Sequence, residues 1–202
     1  MTFATQSTVS FGDTWSATQH NVMINNDIHM NTAFHVPLFP IVSGLAPASG
    51  LTASAYSVVQ SSGAGTIKPE FPILSFDAST DEGRIWNGML PRGYGSTITI
   101  AGLFYMASAT SGNVVLAAQL AMVSDADTSV TAKVYATENS STVAVPGVAG
   151  TVKAFSITMS NADSAAAQDF FSVAFRRDAD NGSDTATGDL NLLRLGIFFS
   201  LA

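Results

Sequence analysis

Residues 96–123 read STITIAGLFYMASATSGNVVLAAQLAMV. Thr97-Ile98-Thr99-Ile100 alternates polar with apolar, the period of two that sends successive side chains to opposite faces of a sheet. Ser108-Ala109-Thr110-Ser111-Gly112 then supplies small, turn-forming residues, and an apolar run resumes at Asn113. The stretch therefore reads as strand, turn, strand. The same texture extends from Pro69 to the end of the chain. Its apolar runs predict strands over 72–77, 84–90, 96–107, 113–123, 130–136, 151–159, 169–177 and 190–201. Between them lie DASTDEG, PRGYG, SATSG, SDADTS, PGVAG, SNADSAA and DADNGSDTATG, rich in residues that accept turn dihedrals or bond their own backbone. Phe155-Ser156-Ile157-Thr158-Met159 repeats the alternation. An all-β domain follows, a jelly-roll-like antiparallel β-sandwich, with a closed barrel as the competing topology. The final LLRLGIFFSLA must sit inside a sheet, because an apolar strand left at a free chain end would be exposed to water.

Upstream of this domain the pattern changes twice. Residues 32–70 mix Pro37, Pro40, Pro47 and Pro69 with Gly44, Gly50, Gly63 and Gly65, which forbids a long regular element. They read as a connector with one or two short edge strands, at 36–42 and 56–59. Residues 1–12 (MTFATQSTVSFG) are polar and hold three spaced apolar side chains, Phe3, Val9 and Phe11, as an extended arm would. Ser16-Ala17-Thr18-Gln19 is a capping box, so a short helix is predicted from there to about residue 31, with Ile24 and Ile28 stacked four apart. The predicted organisation is 1–31 arm and helix, 32–70 connector, and 71–202 β domain.

Composition narrows the function classes. The chain has 202 residues, of which 47% are apolar but only 11% charged, against roughly 25% charged in ordinary soluble domains. So low a charge implies that much of the surface faces other protein. Eight Lys and Arg against 15 Asp and Glu give a net charge of −7, which argues against nucleic acid and against an anionic membrane as partners. There is no cysteine, which removes disulfides, thiolate metal sites and cysteine nucleophiles together. The N-terminus shows no signal-peptide pattern, and the apolar stretches 114–123 and 192–202 are too short for a membrane helix. A soluble, unexported chain is the expectation.

Catalytic equipment is sparse in the sequence. His20, His29 and His35 are the three histidines. The first two are nine apart, on opposite faces of the predicted helix, so one metal would not reach both. No histidine lies near a strand-end loop of the β domain, as a Ser-His-Asp arrangement would need. Glu70, Glu82 and Glu138 are scattered, and Trp15 and Trp86 lie in different segments, which does not describe a glycosidase cleft. Trp86 reads as core. Asp178, Asp180, Asp184 and Asp189 have something of a calcium loop, but the sixth position is Ser183 where a glycine is required and the twelfth is Asp189 where glutamate belongs. The loop reads as structural. Asn139-Ser140-Ser141 and Asn181-Gly182-Ser183 match the glycosylation triplet only by chance if the chain is not exported. No catalytic, cofactor-binding or metal-ligating residue is predicted, and no cofactor.

Two stretches carry a resemblance: Tyr105-Met106-Ala107-Ser108-Ala109-Thr110-Ser111-Gly112-Asn113-Val114-Val115, and Arg176-Arg177-Asp178-Ala179-Asp180-Asn181 continuing to Asp184-Thr185-Ala186-Thr187-Gly188-Asp189. Together with Phe76–Glu82, Ile85-Trp86 and Met89-Leu90-Pro91, they resemble a β domain of structural proteins in tailed bacteriophages, over about residues 70–200. Phe11-Gly12-Asp13-Thr14-Trp15-Ser16-Ala17-Thr18-Gln19 resembles the opening motif of many phage tail and surface proteins, although the arginine of its second half is absent. The resemblance implies a non-enzymatic virion protein assembled in the host cytoplasm. It implies no catalytic residues. One reading is a homotrimeric capsid decoration or cement protein bound to the major capsid protein or another virion structural protein. The alternative is a tail or baseplate fibre or receptor-binding adhesin. A polysaccharide-degrading enzyme is the third class, and the chain lacks the paired carboxylates and aromatic platforms for it. The attachment and interface set expected on this reading is Phe3, Val9, Phe11, Trp15, Ile24, Ile28, Phe171 and Phe199. The last two come from the adjacent pairs Phe170-Phe171 and Phe198-Phe199, in which one ring must face the core and the other outward.

Overall fold

In a computed structural model of the chain, residues 38–201 are described, apart from Ala126 and Thr128. The predicted arm and helix of residues 1–31, with Phe3, Val9, Phe11, Trp15, Ile24 and Ile28, lie outside the described residues, as do the three histidines. The elements in order are β1 (Leu38–Phe39), a 3-10 turn (Ile41–Ser43), β2 (Thr52–Ala53), β3 (Ala55–Gln60), β4 (Glu70–Phe76), β5 (Glu82–Met89), β6 (Tyr94–Met106) and β7 (Asn113–Val123). A second 3-10 turn (Val130–Ala132), β8 (Asn139–Ala144), β9 (Lys153–Thr158), β10 (Phe170–Arg177) and β11 (Leu190–Leu201) follow.

These strands form two sheets, one ordered β3-β4-β11-β6-β9 with β1 also on β11, the other β2-β5-β10-β7-β8. All pairings are antiparallel except the short β2–β5 contact. Consecutive long strands alternate between sheets where they do not form hairpins, as in a jelly-roll-like sandwich. The barrel is excluded. β8 and β9 border the same side of the molecule but are joined there by side chains, with Asn139 Nδ2 donating to Ser160 Oγ at 2.7 Å and Asn161 N donating to Asn139 Oδ1 at 3.1 Å. The last strand lies mid-sheet between β4 and β6, as its apolar run requires.

Alternation along the strands builds the core. In β10, Phe171, Val173 and Phe175 point inward and are buried, while Phe170 on the other phase is exposed. Phe175 stacks on Phe155 with centroids 5.4 Å apart and meets Phe76 edge-on at 5.8 Å. The Phe155 ring lies across β6 at Gly102, where an added Cβ would come within 2.8 Å of the ring and 2.2 Å of the Arg194 carbonyl oxygen. Only glycine fits. Trp86 is buried as expected, stacked on Phe39 at 5.8 Å and donating its Nε1–H to Pro40 O at 3.2 Å. The turn 108–112 closes on Gly112, whose φ of +92° lies in the left-handed region that glycine adopts freely.

Seven of the eight predicted strands have a counterpart in the structure; the one at 130–136 does not. That segment lies over the outer face of the second sheet, with the Tyr135 hydroxyl 2.8 Å from Ser172 Oγ and Gln119 Nε2 donating to Ala136 O at 3.2 Å. The strand that pairs with β7 is Asn139–Ala144 instead, in register from Asn113↔Ala144 to Ala118↔Asn139. Its alternation, with Val143 packed on the core and Val145 just beyond the strand, is polar enough to pass for a loop. The connector contributes β1, β2 and β3 as short strands.

Candidate functional site

Three places on the sandwich concentrate chemistry. The first is the loop end at β10. Arg177 is wholly buried, and its guanidinium donates to Asp184 from Nε at 3.0 Å and from Nη2 at 2.7 Å. It also donates to the carbonyls of Gly188 at 2.7 Å and Ala186 at 2.9 Å. Asp184 in turn accepts from the backbone N–H of Val115 at 3.0 Å. The pair fastens the 178–189 loop to β7 from inside. Its neighbour Arg176 faces the other way and joins Glu138, Asp178 and Asp81. The two hydrogen bonds to Glu138 do most to hold the Arg176 guanidinium above the usual arginine range.

The metal-ligating carboxylate atoms of Asp81, Asp178 and Asp180 come within 4.8 Å of one another, so among the described residues they are the group that could hold a metal. The carboxylates of Asp81 and Asp178 are already engaged. Asp81 accepts from Arg176 and from the Ala179 N–H at 2.7 Å, while Asp178 accepts from Arg176 and from Asn181 Nδ2 at 2.8 Å. Arg176 supplies the positive charge of this cluster, and the loop has the internal bonding of a structural turn. Asp189, the twelfth position of the calcium-loop comparison, is not in the group.

The second place is the outer face of the β5-β10-β7 sheet. Cross-strand register puts Phe170 opposite Met89 on one side and Val123 on the other. Phe170 is 49% exposed and Met89 64%. Val130, Tyr135, Asn87, Ser172 and Lys133 border the same depression. Lys133 is held to one side by Asp127 at 3.3 Å and Asp163 at 3.4 Å. Here the assignment of Phe171 to an interface is corrected. Phe171 is buried within the chain, where its ring fills the space over Gly88, whose missing Cβ would meet Phe171 Cζ at 2.6 Å. Phe170 is the outward member of the pair. The apolar series Phe171, Val173, Phe175 against Phe170, Ser172, Ala174, Arg176 carried that phase in the sequence. Phe199 is likewise the inward member of its pair, partly buried on the core and edge-on to Tyr94 at 6.5 Å, so its place in the interface set is corrected too. Phe198 borders the opposite outer face.

The third place is a groove of about 430 Å³ on the outer face of the β3-β4-β11-β6-β9 sheet. It arises because β4 follows β11 only through Leu74↔Leu192, after which β1 takes over that edge of β11 at Leu195 and Gly196. Val59, Gln60 and Phe71 border it from the β3–β4 hairpin, Tyr105 and Val152 from across the sheet, and the register shift at Leu193 lies between. Phe71 is 48% exposed. Sequence reasoning did not find this groove, since its residues come from four strands and two loops that only the sheet order brings together.

No family model matches the chain, and no curated protein does. Among solved structures, the chain is similar to an arabinose-bound α-L-arabinofuranosidase, MgGH51, at 15% identity and a TM-score of 0.42, over 81% of this chain and 25% of that one. It is also similar to the family 11 carbohydrate-binding module from Clostridium thermocellum in complex with a β-1,3-1,4-mixed-linked tetrasaccharide, at 11% identity and a TM-score of 0.40, over 81% and 95% of the two chains. A third is the CBM22-2 xylan-binding domain from Paenibacillus barcinonensis Xyn10C, at 17% identity and a TM-score of 0.39, over 72% and 88%. The chain spans about a quarter of the length of the arabinofuranosidase it matches.

Proposed function

We propose that the chain is a non-enzymatic structural protein of a tailed-phage virion, a homotrimer bound on the outer particle surface as a decoration or cement protein. The observation that carries this reading is the row Met89–Phe170–Val123, three apolar side chains abreast on an outer sheet face, with Phe170 49% and Met89 64% exposed. An outward phenylalanine between two apolar neighbours, with Val130 at its border, gains by being covered. In a chain so short of charge, a second protein surface is the natural cover. The sequence likeness to phage structural proteins is what supports a tailed-phage particle. A major capsid protein or another virion structural protein is then the partner, with residues 1–31 as the attachment element. Placement on the tail or baseplate as an adhesin is the second reading, favoured by the aromatic groove on the opposite face.

Light scattering on the purified chain tests the assembly step. A trimer that falls to a monomer in Phe170→Ser, with the circular dichroism unchanged, is the expected result. A wild-type monomer at micromolar concentration refutes it. Counting the chain against the major capsid protein in purified particles separates the two placements, since hundreds of copies mean capsid and a few dozen mean tail.

A further inference from the structure

We infer that the groove between the β3–β4 hairpin and Tyr105 is a binding site for a neutral oligosaccharide chain. The side chains that border it are two aromatic rings, Phe71 and Tyr105, three aliphatic ones, Val59, Val152 and Leu193, and the uncharged polar groups Gln60, Ser61 and Ser62. Gly150 completes the border. Rings presented on a sheet face match the C–H faces of pyranose rings, and a rim of amide and hydroxyl groups matches their hydroxyls; pockets of this kind combine an apolar lining with a few placed polar groups.

Charge decides against other ligands. Not one of the groove's bordering residues is ionisable to a cation or a carboxylate at neutral pH, although the chain as a whole carries a net charge of −7. The neighbouring carboxylate of Glu70 is bonded to the Gln60 amide, so no counter-charge for a cation is on the border itself, and an anionic ligand is repelled by the surrounding molecule. The amide of Gln60 is already oriented, its Nε2 donating to Glu70 Oε1 at 2.9 Å, which leaves the Gln60 carbonyl oxygen to accept from a sugar hydroxyl. Phe71 and Tyr105 stand on strands β4 and β6, with β11 between them. That separation is about two strand spacings, roughly 10 Å across the sheet before any offset along it. A chain of several sugar units spans it; a monosaccharide does not. The assignment rests on this groove alone and not on the virion reading, because a glycan site would serve an enzyme-attached module, a capsid protein or an adhesin equally.

The test is retention on an array of neutral and uronic- or sialic-acid-bearing oligosaccharides, followed by calorimetric titration with the best-retained hexasaccharide. The expected result is binding of neutral chains, longer ones better than disaccharides, with affinity reduced at least tenfold in Phe71→Ala and in Tyr105→Ala and unchanged in Val134→Ser, at an exposed position elsewhere. Phe71 is half exposed, so its variant folds and decides the matter even if Tyr105→Ala does not. No retention of any neutral glycan, retention of acidic glycans only, or full affinity in Phe71→Ala overturns the proposal. Binding of an apolar peptide in this groove in place of sugar, with the same dependence on Phe71, overturns it in favour of a protein partner. Trimer loss in Phe170→Ser leaves this readout untouched, so the two proposals fail separately.

Discussion

Replacing Arg177 with methionine removes a cation that is wholly enclosed and makes two bonds to Asp184 and one each to the carbonyls of Gly188 and Ala186. Methionine keeps much of the stem but leaves the Asp184 carboxylate without its counter-charge in a site where its side chain is also fully buried. Removing one partner of a buried ion pair costs about 3–5 kcal/mol. The two orphaned carbonyls are partly included in that figure, since such measurements count the whole loss. For a domain of this size each kcal/mol lowers Tm by roughly 2–4 °C, which gives a fall of roughly 6–20 °C. Differential scanning calorimetry at pH 7 and one fixed protein concentration reads it. Arg176→Met is the internal comparison. Its guanidinium reaches Glu138, Asp178 and Asp81 with side chains that all retain water contact, so its loss is smaller, about 1 kcal/mol and a few degrees. A drop below 3 °C for Arg177→Met, or equal drops for both variants, would show that the buried clamp does not hold the 178–189 loop as argued.

Burial raises the Glu82 carboxyl above its usual range against the hydrogen bond it accepts from Asp77 N. A raised folded-state pKa stabilises at low pH and loses that contribution as pH climbs through it; Glu82→Gln should therefore gain Tm relative to wild type between pH 4 and pH 7, and a flat difference contradicts this. Gly102→Ala places a methyl group 2.2 Å from the Arg194 carbonyl oxygen and against the Phe155 ring, so urea unfolding should show a loss of about 1–3 kcal/mol, and a loss under 0.5 kcal/mol refutes the close approach. A chelator should leave Tm unchanged, because Arg176 already bonds two of the three carboxylates, Asp81 and Asp178; a fall of several degrees that calcium restores would make it a metal site. Deleting residues 1–31 should leave a folded, soluble β domain that no longer binds particles, and normal decoration by the truncated chain would move the attachment surface into the sandwich.

The sequence by itself determined where most strands lie and which way they face, because period-two alternation and turn residues are local properties of the chain. Residues 113–123 and 190–201 could be read to the residue; the phase of Phe171, Val173 and Phe175 is also written in the sequence, although the reading that placed Phe171 in an interface did not use it. It also determined that Trp86 belongs to the core. It could not locate β8, where Asn139–Ala144 is polar on one face and only its pairing with β7 makes it a strand, whereas the more apolar 130–136 segment finds its hydrogen bonds from the outer face of a sheet. Tertiary structure alone decided the groups that depend on strand order. Arg177 meets Asp184, Phe170 meets Met89 and Val123, and Phe71 meets the same groove as Tyr105 because sheet neighbours come from distant parts of the chain. Burial then sets what each group is worth: adjacent arginines 176 and 177 have the same side chain, but alternation turns one toward water and closes the other inside the sandwich.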